Sequence, residues 1–287
     1  MRIAITVATG TLGTALVHAL LGRGDQVVVL SRTPHALRRL QGLVVDAYSY
    51  DDNGLRAAMA AGPIDALVHA ACAYGRSGES PADLMEANLL HPMRLVDVAG
   101  TTIGQWIAIG TALPRTVSFY ALSKAQFAEW LELLPASQIG PRAVIALENF
   151  YGPGEDPGKF LTRVVRACIS GQPLDLTVGT QKRDFIHIDD VINALIRIID
   201  QPEPAYRVIP VGSGTALPVR QVVERIHAAA ASRSELRFGT VPLRPNEPEC
   251  CVADTTYLRR LGWTPTVSLD QGLYDLVASE AKNMKNP

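Results

Sequence analysis

Residues 2–13 read RIAITVATGTLG and decide how the chain begins to fold. An apolar, β-branched run at 2–7 leads to Gly10 and Gly13, and apolar residues recur at helical spacing over 12–22. This order predicts a strand, a glycine turn and a helix, the first units of an α/β fold. Because a helix starts with unpaired backbone N–H groups, such a turn can bind a diphosphate.

One position departs from the usual dinucleotide-binding fingerprint. Val7 stands three residues before Gly10, where that fingerprint has its first glycine. A β-branched residue does not adopt a positive φ cheaply. We therefore expect either a turn that is built differently or a cofactor that is held less tightly. A glycine turn that serves packing alone is the alternative interpretation.

The alternation of strand and helix patterns continues to about residue 150. The strand runs are apolar nearly throughout, as expected for strands that are covered by helices on both faces. The sequence predicts a doubly wound parallel sheet of the Rossmann type, with a ligand at the carboxyl ends of the strands. The predicted strands are 2–7, 26–31, 43–46, 65–69, 105–109 and 141–147, and the predicted helices are 12–22, 52–61, 82–99 and 119–134.

A segment rich in glycine and proline marks a change at 152–158. We predict that residues 1–150 form the dinucleotide-binding Rossmann domain and that 186–212 return to it. Residues 151–287 are predicted to form a smaller C-terminal α/β lobe that binds substrate. Its helical patterns lie at 159–171, 189–200, 218–231 and 269–282.

The composition argues against several classes of protein. The formal net charge of −1 gives no general excess of cations for binding nucleic acid or an anionic membrane. No window holds the roughly 18 uncharged apolar residues needed to cross a bilayer. We therefore expect a cytoplasmic protein. The four cysteines and six histidines show no metal-ligand spacing, so no metal is predicted.

Several residues are predicted to hold a nicotinamide dinucleotide. An arginine such as Arg32, after the second strand, can pair with the 2′-phosphate of NADP, whereas an Asp there would bond the ribose hydroxyls of NAD. Asp46, at the end of the predicted third strand, can accept from the adenine amino group or can start a turn. NADP(H) is predicted, with NAD(H) as the alternative. The full predicted cofactor set is Thr9, Gly10, Thr11, Leu12, Gly13, Ser31, Arg32, Asp46, Ala70, Ala71, Asn88, Tyr120 and Lys124.

Three side chains form a candidate catalytic group. Tyr120 and Lys124 are four residues apart on a predicted helix and therefore share one face. A neighbouring lysine favours the phenolate and lowers the pKa of the tyrosine, which suits a general acid. Thr111 closes the fifth strand, where its hydroxyl can bond a substrate carbonyl oxygen. Asn88 either orders the lysine through a water or marks a helix kink.

These motifs resemble the extended short-chain dehydrogenase/reductase family of nucleotide-sugar epimerases, dehydratases and ketoreductases. The resemblance spans essentially the whole chain, and its most specific parts are Tyr120 with Lys124, NFYGPG at 149–154 and GTQKRDFIHIDD at 179–190. It implies that the tyrosine is the acid/base, that the lysine orients it and binds the nicotinamide ribose, and that Thr111 assists.

The resemblance also implies a substrate site. Asn149, Arg183 and Arg244 correspond to groups that hold the nucleotide diphosphate, which fits the bidentate pairing of guanidinium with phosphate. Each arginine can alternatively be a solvated surface residue. A homodimer through the helices at 82–99 and 119–134 is implied as well.

The spacing of Thr111 and Tyr120 is shorter than in most members of that family, at nine residues. With this shortening the chain resembles the branch of CDP-abequose and CDP-paratose synthases, which are NADPH-dependent 4-ketoreductases. We therefore expect reduction of the C4 ketone of a CDP- or dTDP-linked 4-keto-6-deoxy or 3,6-dideoxy hexose. Two alternatives remain open: an NAD-dependent nucleotide-sugar epimerase or dehydratase, and a non-catalytic NADP-binding regulator.

Overall fold

The computed structural model describes residues 1–35, 37–202 and 204–285, which separate into two compact units. Unit 1 comprises Met1–Leu147 and Ala194–Ile209. Unit 2 comprises Glu148–Asn193 and the chain from Pro210 onward. Among the helices described, none has both the length and the apolar character that a bilayer span requires.

The first part of the chain alternates strands and helices. Its elements are β1 (Arg2–Thr6), α1 (Thr11–Gly22), β2 (Gln26–Ser31), β3 (Asp46–Ser49), α2 (Asp52–Ala60), β4 (Ala66–His69), α3 (Pro81–Met85), α4 (His91–Ala99), β5 (Trp106–Ile109), α5 (Phe119–Leu133) and β6 (Arg142–Leu147). A short 3-10 turn lies at Arg38–Leu40 and a π turn at Glu86–Leu90.

The remaining elements are shorter and more varied. They are β7 (Asn149–Tyr151), α6 (Phe160–Ser170), β8 (Leu174–Leu176), β9 (Lys182–His187), α7 (Ile188–Asp200), β10 (Tyr206–Val211), β11 (Ala216–Pro218), α8 (Val219–Ala229), β12 (Leu236–Phe238), β13 (Cys250–Cys251), α9 (Thr256–Arg260) and α10 (Leu269–Lys285).

Seven strands form one sheet in the order β10-β6-β5-β4-β1-β2-β3. Neighbouring strands from β6 to β3 pair in parallel. From β1 the chain first builds β2 and β3 on one side and then returns to build β4, β5 and β6 on the other. The strand order therefore reverses between β1 and β4, which is where doubly wound sheets bind ligands. The predicted doubly wound α/β fold is confirmed.

The third strand lies further along the chain than the sequence argument predicted. It spans Asp46–Ser49 and not 43–46, and Val44 is 89% exposed. β3 is the edge strand, and its residues are exposed or half-buried, so the continuous apolar run of a strand covered on both faces does not identify it. Asp46 consequently begins the strand, at the edge of the sheet opposite the carboxyl ends.

The helix predicted at 82–99 is interrupted in its middle. A π turn at Glu86–Leu90 separates α3 from α4, and α4 carries Pro92 in its first turn. Proline has no N–H to donate to the carbonyl of Asn88, four residues earlier, so the α-helical bond pattern cannot pass through this point. The wider turn places Asn88 inside the protein, with no exposed surface.

Unit 2 has its own sheets and core. β9 pairs with β11, β13 and β7, and β8 pairs in parallel with β12. Helices α6, α8 and α10 pack together through buried side chains such as Val165, Val222 and Leu276. This helical cluster provides the apolar core of the unit.

Val7 occupies the left-handed region, with φ at 52°. Its N–H donates to the carbonyl of Leu30, and its carbonyl accepts from the N–H of Gly10 at 3.2 Å. The turn therefore keeps the geometry that glycine adopts easily, although a half-buried β-branched residue stands in it. Of the two alternatives expected for this position, a differently built turn is therefore excluded, and a cofactor that is held less tightly stays a prediction.

Replacing Val7 by glycine should stabilise the protein. A left-handed φ costs a non-glycine residue on the order of 1–3 kcal/mol, which the greater freedom of glycine in the unfolded chain offsets only in part. We expect Val7→Gly to raise the free energy of unfolding by about 1 kcal/mol, or Tm by about 2–4 °C. Val7→Ala, which keeps the Cβ, should gain less. A lower Tm for the glycine variant in thermal unfolding would contradict the argument.

Candidate active site

The turn between β1 and α1 fits the diphosphate of a dinucleotide. A Cβ on Gly13 would meet the Cα of Ala8 and the carbonyl oxygen of Val7, both at 2.7 Å, whereas a Cβ on Gly10 would meet only that oxygen, at 3.6 Å. Gly13 thus lets α1 pack closely on the strand, and Gly10 leaves space above the helix. The first turn of α1 has no acidic residue, and Gly10 provides no side-chain cap. An anion is favoured at such a helix start. Predicted cofactor residues Thr9, Thr11 and Leu12 belong to the same turn.

The backbone after β4 is held by a single hydroxyl. The Oγ1 atom of Thr6 accepts from the N–H groups of Ala70 and Ala71, at 3.0 and 3.1 Å, and lies 3.2 Å from Nδ1 of His69. With both lone pairs used, the hydroxyl donates its proton to Nδ1, so neutral His69 carries its proton on Nε2. Burial lowers the pKa of His69 well below its usual value, and the charge of Lys124 adds to this shift.

Asn88 joins the loop after β4 to helix α5. Its side-chain oxygen accepts from the N–H of Ala73 at 2.8 Å, and its Nδ2 donates to the carbonyl of Ala73 and to Oγ of Ser123. Ser123 in turn donates to the carbonyl of Tyr120 at 2.9 Å. The sequence allowed two roles for Asn88: ordering the lysine through a water, or marking a helix kink. The structure gives it direct bonds to the loop and to the serine beside Lys124.

The three predicted catalytic side chains come together in unit 1. Ser118 caps α5 by accepting from the N–H of Ala121, so Tyr120 stands in the first turn of the helix and Lys124 one turn later. The side chain of Thr111 acts on the phenol of Tyr120 and favours its ionised form, which lowers the pKa of that phenol. Thr111 and Lys124 both line one cavity of about 90 Å³.

The electrostatics of this group differ from the sequence expectation. Burial raises the pKa of Tyr120 above its ordinary value, and Cys72 adds to the rise. The hydrogen bond from Thr111 and the charge of Arg76 act in the opposite direction. Burial also lowers the pKa of Lys124. The expectation that Lys124 gives the phenol a lowered pKa was wrong for this structure, because desolvation outweighs the nearby charges.

The cofactor residues predicted on β2 and β3 lie at opposite ends of these strands. Arg32 is exposed directly after β2, and its charge acts on the phenol of Tyr50, which follows β3 at the same sheet edge. Buried Ser31 accepts from the N–H of Thr33 at 3.2 Å. Asp46 is not at this edge: its carboxylate is 3.8 Å from Arg2, at the amino ends of the strands. The adenine contact predicted for Asp46 is therefore wrong.

Sequence reasoning missed three side chains in the loop after β4, namely Cys72, Tyr74 and Arg76. The ring of Tyr74 lies 5.1 Å from that of Tyr120, and the guanidinium of Arg76 lies 5.1 Å from the Tyr74 ring centre. The position of the loop, at the carboxyl end of a strand beside the switch point, was the signal that could have identified them.

In unit 2 the predicted substrate residues lie on adjoining segments. Asn149 begins β7, which pairs with β9, and its Nδ2 donates to the carbonyl of Asp184. Arg183 is buried and forms an ion pair with Glu247. The N–H of Glu247 donates to the carbonyl of Arg244, whose side chain is exposed. Arg183 is therefore occupied by a carboxylate, whereas Arg244 faces solvent.

Two buried carboxyl groups adjoin Arg183. Asp184 has no exposed surface and accepts from the N–H groups of Ser213, Gly214 and Ala253. It therefore anchors two loops of unit 2. Burial and the charge of Asp184 raise the pKa of Glu148 to about 7, and Arg183 opposes this rise. Among the residues described, no three His, Cys, Asp or Glu side chains group in a way that suits a metal ion.

Comparison with known proteins agrees with this architecture. Residues 3–212 match the NAD dependent epimerase/dehydratase family. The chain is 27% identical to the CDP-abequose synthase of Salmonella muenchen over 286 residues, which cover 96% of this chain and 97% of that one. It is 25% identical to the CDP-abequose synthase of Salmonella typhimurium, with 95% and 96% covered.

A solved structure shows the same fold. The UDP-glucose 4-epimerase of Thermus thermophilus, a complex with NAD, superposes with a TM-score of 0.85 at 24% identity, covering 97% of this chain and 98% of that one. The chain belongs to the NAD dependent epimerase/dehydratase family. The predicted family resemblance and the prediction of an oxidoreductase-type enzyme are confirmed at that level.

The carboxyl of Glu148 should make stability depend on pH. Its folded pKa of about 7 lies above the ordinary 4.5, so its contribution is fully present below about pH 4.5 and is lost as the pH rises through 7. We expect Glu148→Gln to remove this fall and to be more stable than the parent protein at pH 8. Glu249→Gln, at an exposed carboxyl of the same unit, is the control. Parallel curves of unfolding free energy against pH for parent and Glu148→Gln would contradict the assignment.

Proposed function

We propose that this protein reduces the C4 ketone of a nucleoside-diphosphate 4-keto-6-deoxy or 3,6-dideoxy hexose, CDP- or dTDP-linked, with NADPH. The observation that carries the proposal is the placement of Tyr120 and Lys124 one turn apart on α5, with Lys124 and Thr111 lining one cavity. The near full-length similarity to two CDP-abequose synthases supports the substrate class.

The residues of this chain divide the work of a carbonyl reduction. The reduced dinucleotide, when bound, supplies the hydride. Tyr120 donates its proton to the carbonyl oxygen as negative charge develops there, and Thr111 holds that oxygen. Lys124, one turn along α5, orients the phenol and the cofactor ribose. The raised pKa of Tyr120 supports this direction of reaction, because the phenol is protonated at neutral pH when reduction begins.

The exposed guanidinium of Arg32 supports NADPH as the cofactor. It follows β2 directly, at the sheet edge where the adenosine ribose of a bound dinucleotide lies in Rossmann folds. A guanidinium there pairs with the 2′-phosphate, which NAD lacks. A reductase must also release its oxidised cofactor after each turnover, which an exposed contact permits.

The substrate diphosphate is assigned to Asn149, Arg183 and Arg244. Arg244 is exposed on the segment that also carries Glu247, and Arg183 already holds a carboxylate. In this proposal an anionic phosphate oxygen takes over the position of the Glu247 carboxylate on Arg183. Guanidinium groups suit such an exchange because they pair with carboxylate and phosphate in the same bidentate geometry.

The main alternative is an epimerase with tightly held NAD. The observation behind this alternative is that the Thermus thermophilus epimerase, which has the same fold, is a complex with NAD. The identity of the cofactor recovered with the purified protein distinguishes the two reactions: NAD at one per chain favours an epimerase. A non-catalytic NADP-binding regulator is the third possibility, and it would bind cofactor without turning over any keto sugar.

We also propose that two copies of the chain associate through α4 and α5. Large apolar side chains are exposed on and beside these helices in unit 1, although isolated positions of this kind are normal. Trp130 is 54% and Leu133 is 81% exposed, both near the end of α5. The family resemblance implies a second copy as the partner, and a twofold interface would then be formed by the same helices of both chains.

Removing the Tyr120 hydroxyl tests the proposed reaction. General acid catalysis contributes typically 10²- to 10⁴-fold, so we expect Tyr120→Phe to lower kcat by about that factor with little change in KM for NADPH. Turnover is followed as loss of NADPH absorbance with CDP- and dTDP-linked 4-keto sugars. Tyr274→Phe, at an exposed tyrosine on α10, is the matched control. Near-normal kcat in Tyr120→Phe would remove the tyrosine from this role.

Removing the Arg32 charge tests the cofactor. A charge-assisted hydrogen bond contributes about 1.5–3 kcal/mol, so Arg32→Ser should raise KM for NADPH roughly 10- to 100-fold. The KM for NADH should change little, since NADH has no 2′-phosphate. An equal effect on both cofactors would show that Arg32 does not recognise that phosphate.

A further inference from the structure

We propose that Tyr74 and Arg76, both from the loop after β4, are positioning residues for Tyr120. The aromatic ring of Tyr74 covers the phenol, and the guanidinium of Arg76 sits on Tyr74 as a second cation beside the site. This inference deepens the proposed function and rests on it, because it takes Tyr120 as the proton donor. It gives the chain a cover for its acid in place of the longer segment that it lacks between Thr111 and Tyr120.

The geometry is that of a stack of three groups. The ring centres of Tyr74 and Tyr120 are 5.1 Å apart with planes inclined by 36°, within the range of favourable aromatic pairs. The guanidinium carbon of Arg76 is 5.1 Å from the centre of the Tyr74 ring, within cation–π distance.

The loop that carries these residues is anchored on the side that precedes Tyr74. The hydroxyl of Thr6 binds the N–H groups of Ala70 and Ala71, and Asn88 binds both backbone groups of Ala73. Gly75 has a φ of +71°, which lets the chain turn between Tyr74 and Arg76. A residue placed by a loop held in this way can keep a constant distance to its neighbour.

The two members of the stack have opposite effects on the pKa of Tyr120. An aromatic ring over the phenol excludes water, and loss of water disfavours the phenolate. The guanidinium favours the phenolate, and its charge lowers the pKa of Tyr120, while burial raises it. In this proposal Tyr74 keeps the acid protonated before hydride transfer, and Arg76 stabilises the charge that remains after the proton has left.

Two substitutions should therefore shift the pH dependence of kcat in opposite directions. Tyr74→Ala admits water to the phenol, so the alkaline limb of the plot of kcat against pH should move to lower pH. The value of kcat should also fall about 10-fold, with KM changed less. Arg76→Met removes the cation, so the same limb should move to higher pH. Tyr74→Phe and Arg76→Lys, which keep the ring and the charge, should resemble the parent. Tyr274→Ala, at an exposed tyrosine on α10, is the control.

A second measurement needs no substrate. The phenolate absorbance of each variant, minus that of the same variant carrying Tyr120→Phe, reports the titration of Tyr120 together with its effect on Tyr74 where that tyrosine is present. We expect this transition at lower pH in Tyr74→Ala and at higher pH in Arg76→Met. If the parent turns over no keto sugar, the proposed function fails, and this titration still tests whether Tyr74 and Arg76 shift the pKa of Tyr120. If the parent is active but neither substitution moves the limb or the titration, the positioning role of Tyr74 and Arg76 is overturned.

Discussion

The side-chain amide of Asn88 connects the two parts of the site that carry chemistry. Its three hydrogen bonds join the backbone of the loop after β4 to Ser123, which lies beside Lys124 on α5. A fully buried amide costs free energy unless it is satisfied in this way, so the loop and the helix cannot separate cheaply. The π turn that brings Asn88 inward depends on Pro92, whose missing N–H interrupts the helix. A backbone irregularity thus fixes the distance between the loop and Tyr120.

The sequence predicted the parts of the fold that follow from periodicity. Buried strands such as β1 and β2, and the helix with Tyr120 and Lys124, come from long and regular patterns. β3 was misplaced because Val44 and Val45 suggested a buried strand, whereas this edge strand consists of exposed and half-buried residues. That error carried Asp46 to the wrong edge of the sheet. The predicted position of Arg32 did not depend on β3, and Arg32 lies directly after β2 as expected.

Contacts between residues distant in sequence could not be predicted in the same way. Thr6 looked like an ordinary strand residue, and its role depends on its register against His69 on a neighbouring strand. The stack of Tyr74 on Tyr120 joins a loop to a helix that begins more than forty residues later. No pattern along the chain records such a distance. The pKa of Tyr120 was misjudged for a related reason: proximity to Lys124 is visible in the sequence, whereas burial is a property of the folded chain.

The direction of the proposed reaction requires both a particular protonation state of Tyr120 and a particular mode of cofactor binding. A reductase starts each cycle with a protonated acid and ends it by exchanging its cofactor, whereas an epimerase starts with a base and retains its cofactor. In the proposed reductase, burial favours the protonated form of Tyr120, and exposed Arg32 is the group that would recognise an exchangeable NADPH. In the proposed reductase Tyr120 therefore serves proton donation and Arg32 serves cofactor exchange, and these two requirements separate the reaction from an epimerisation.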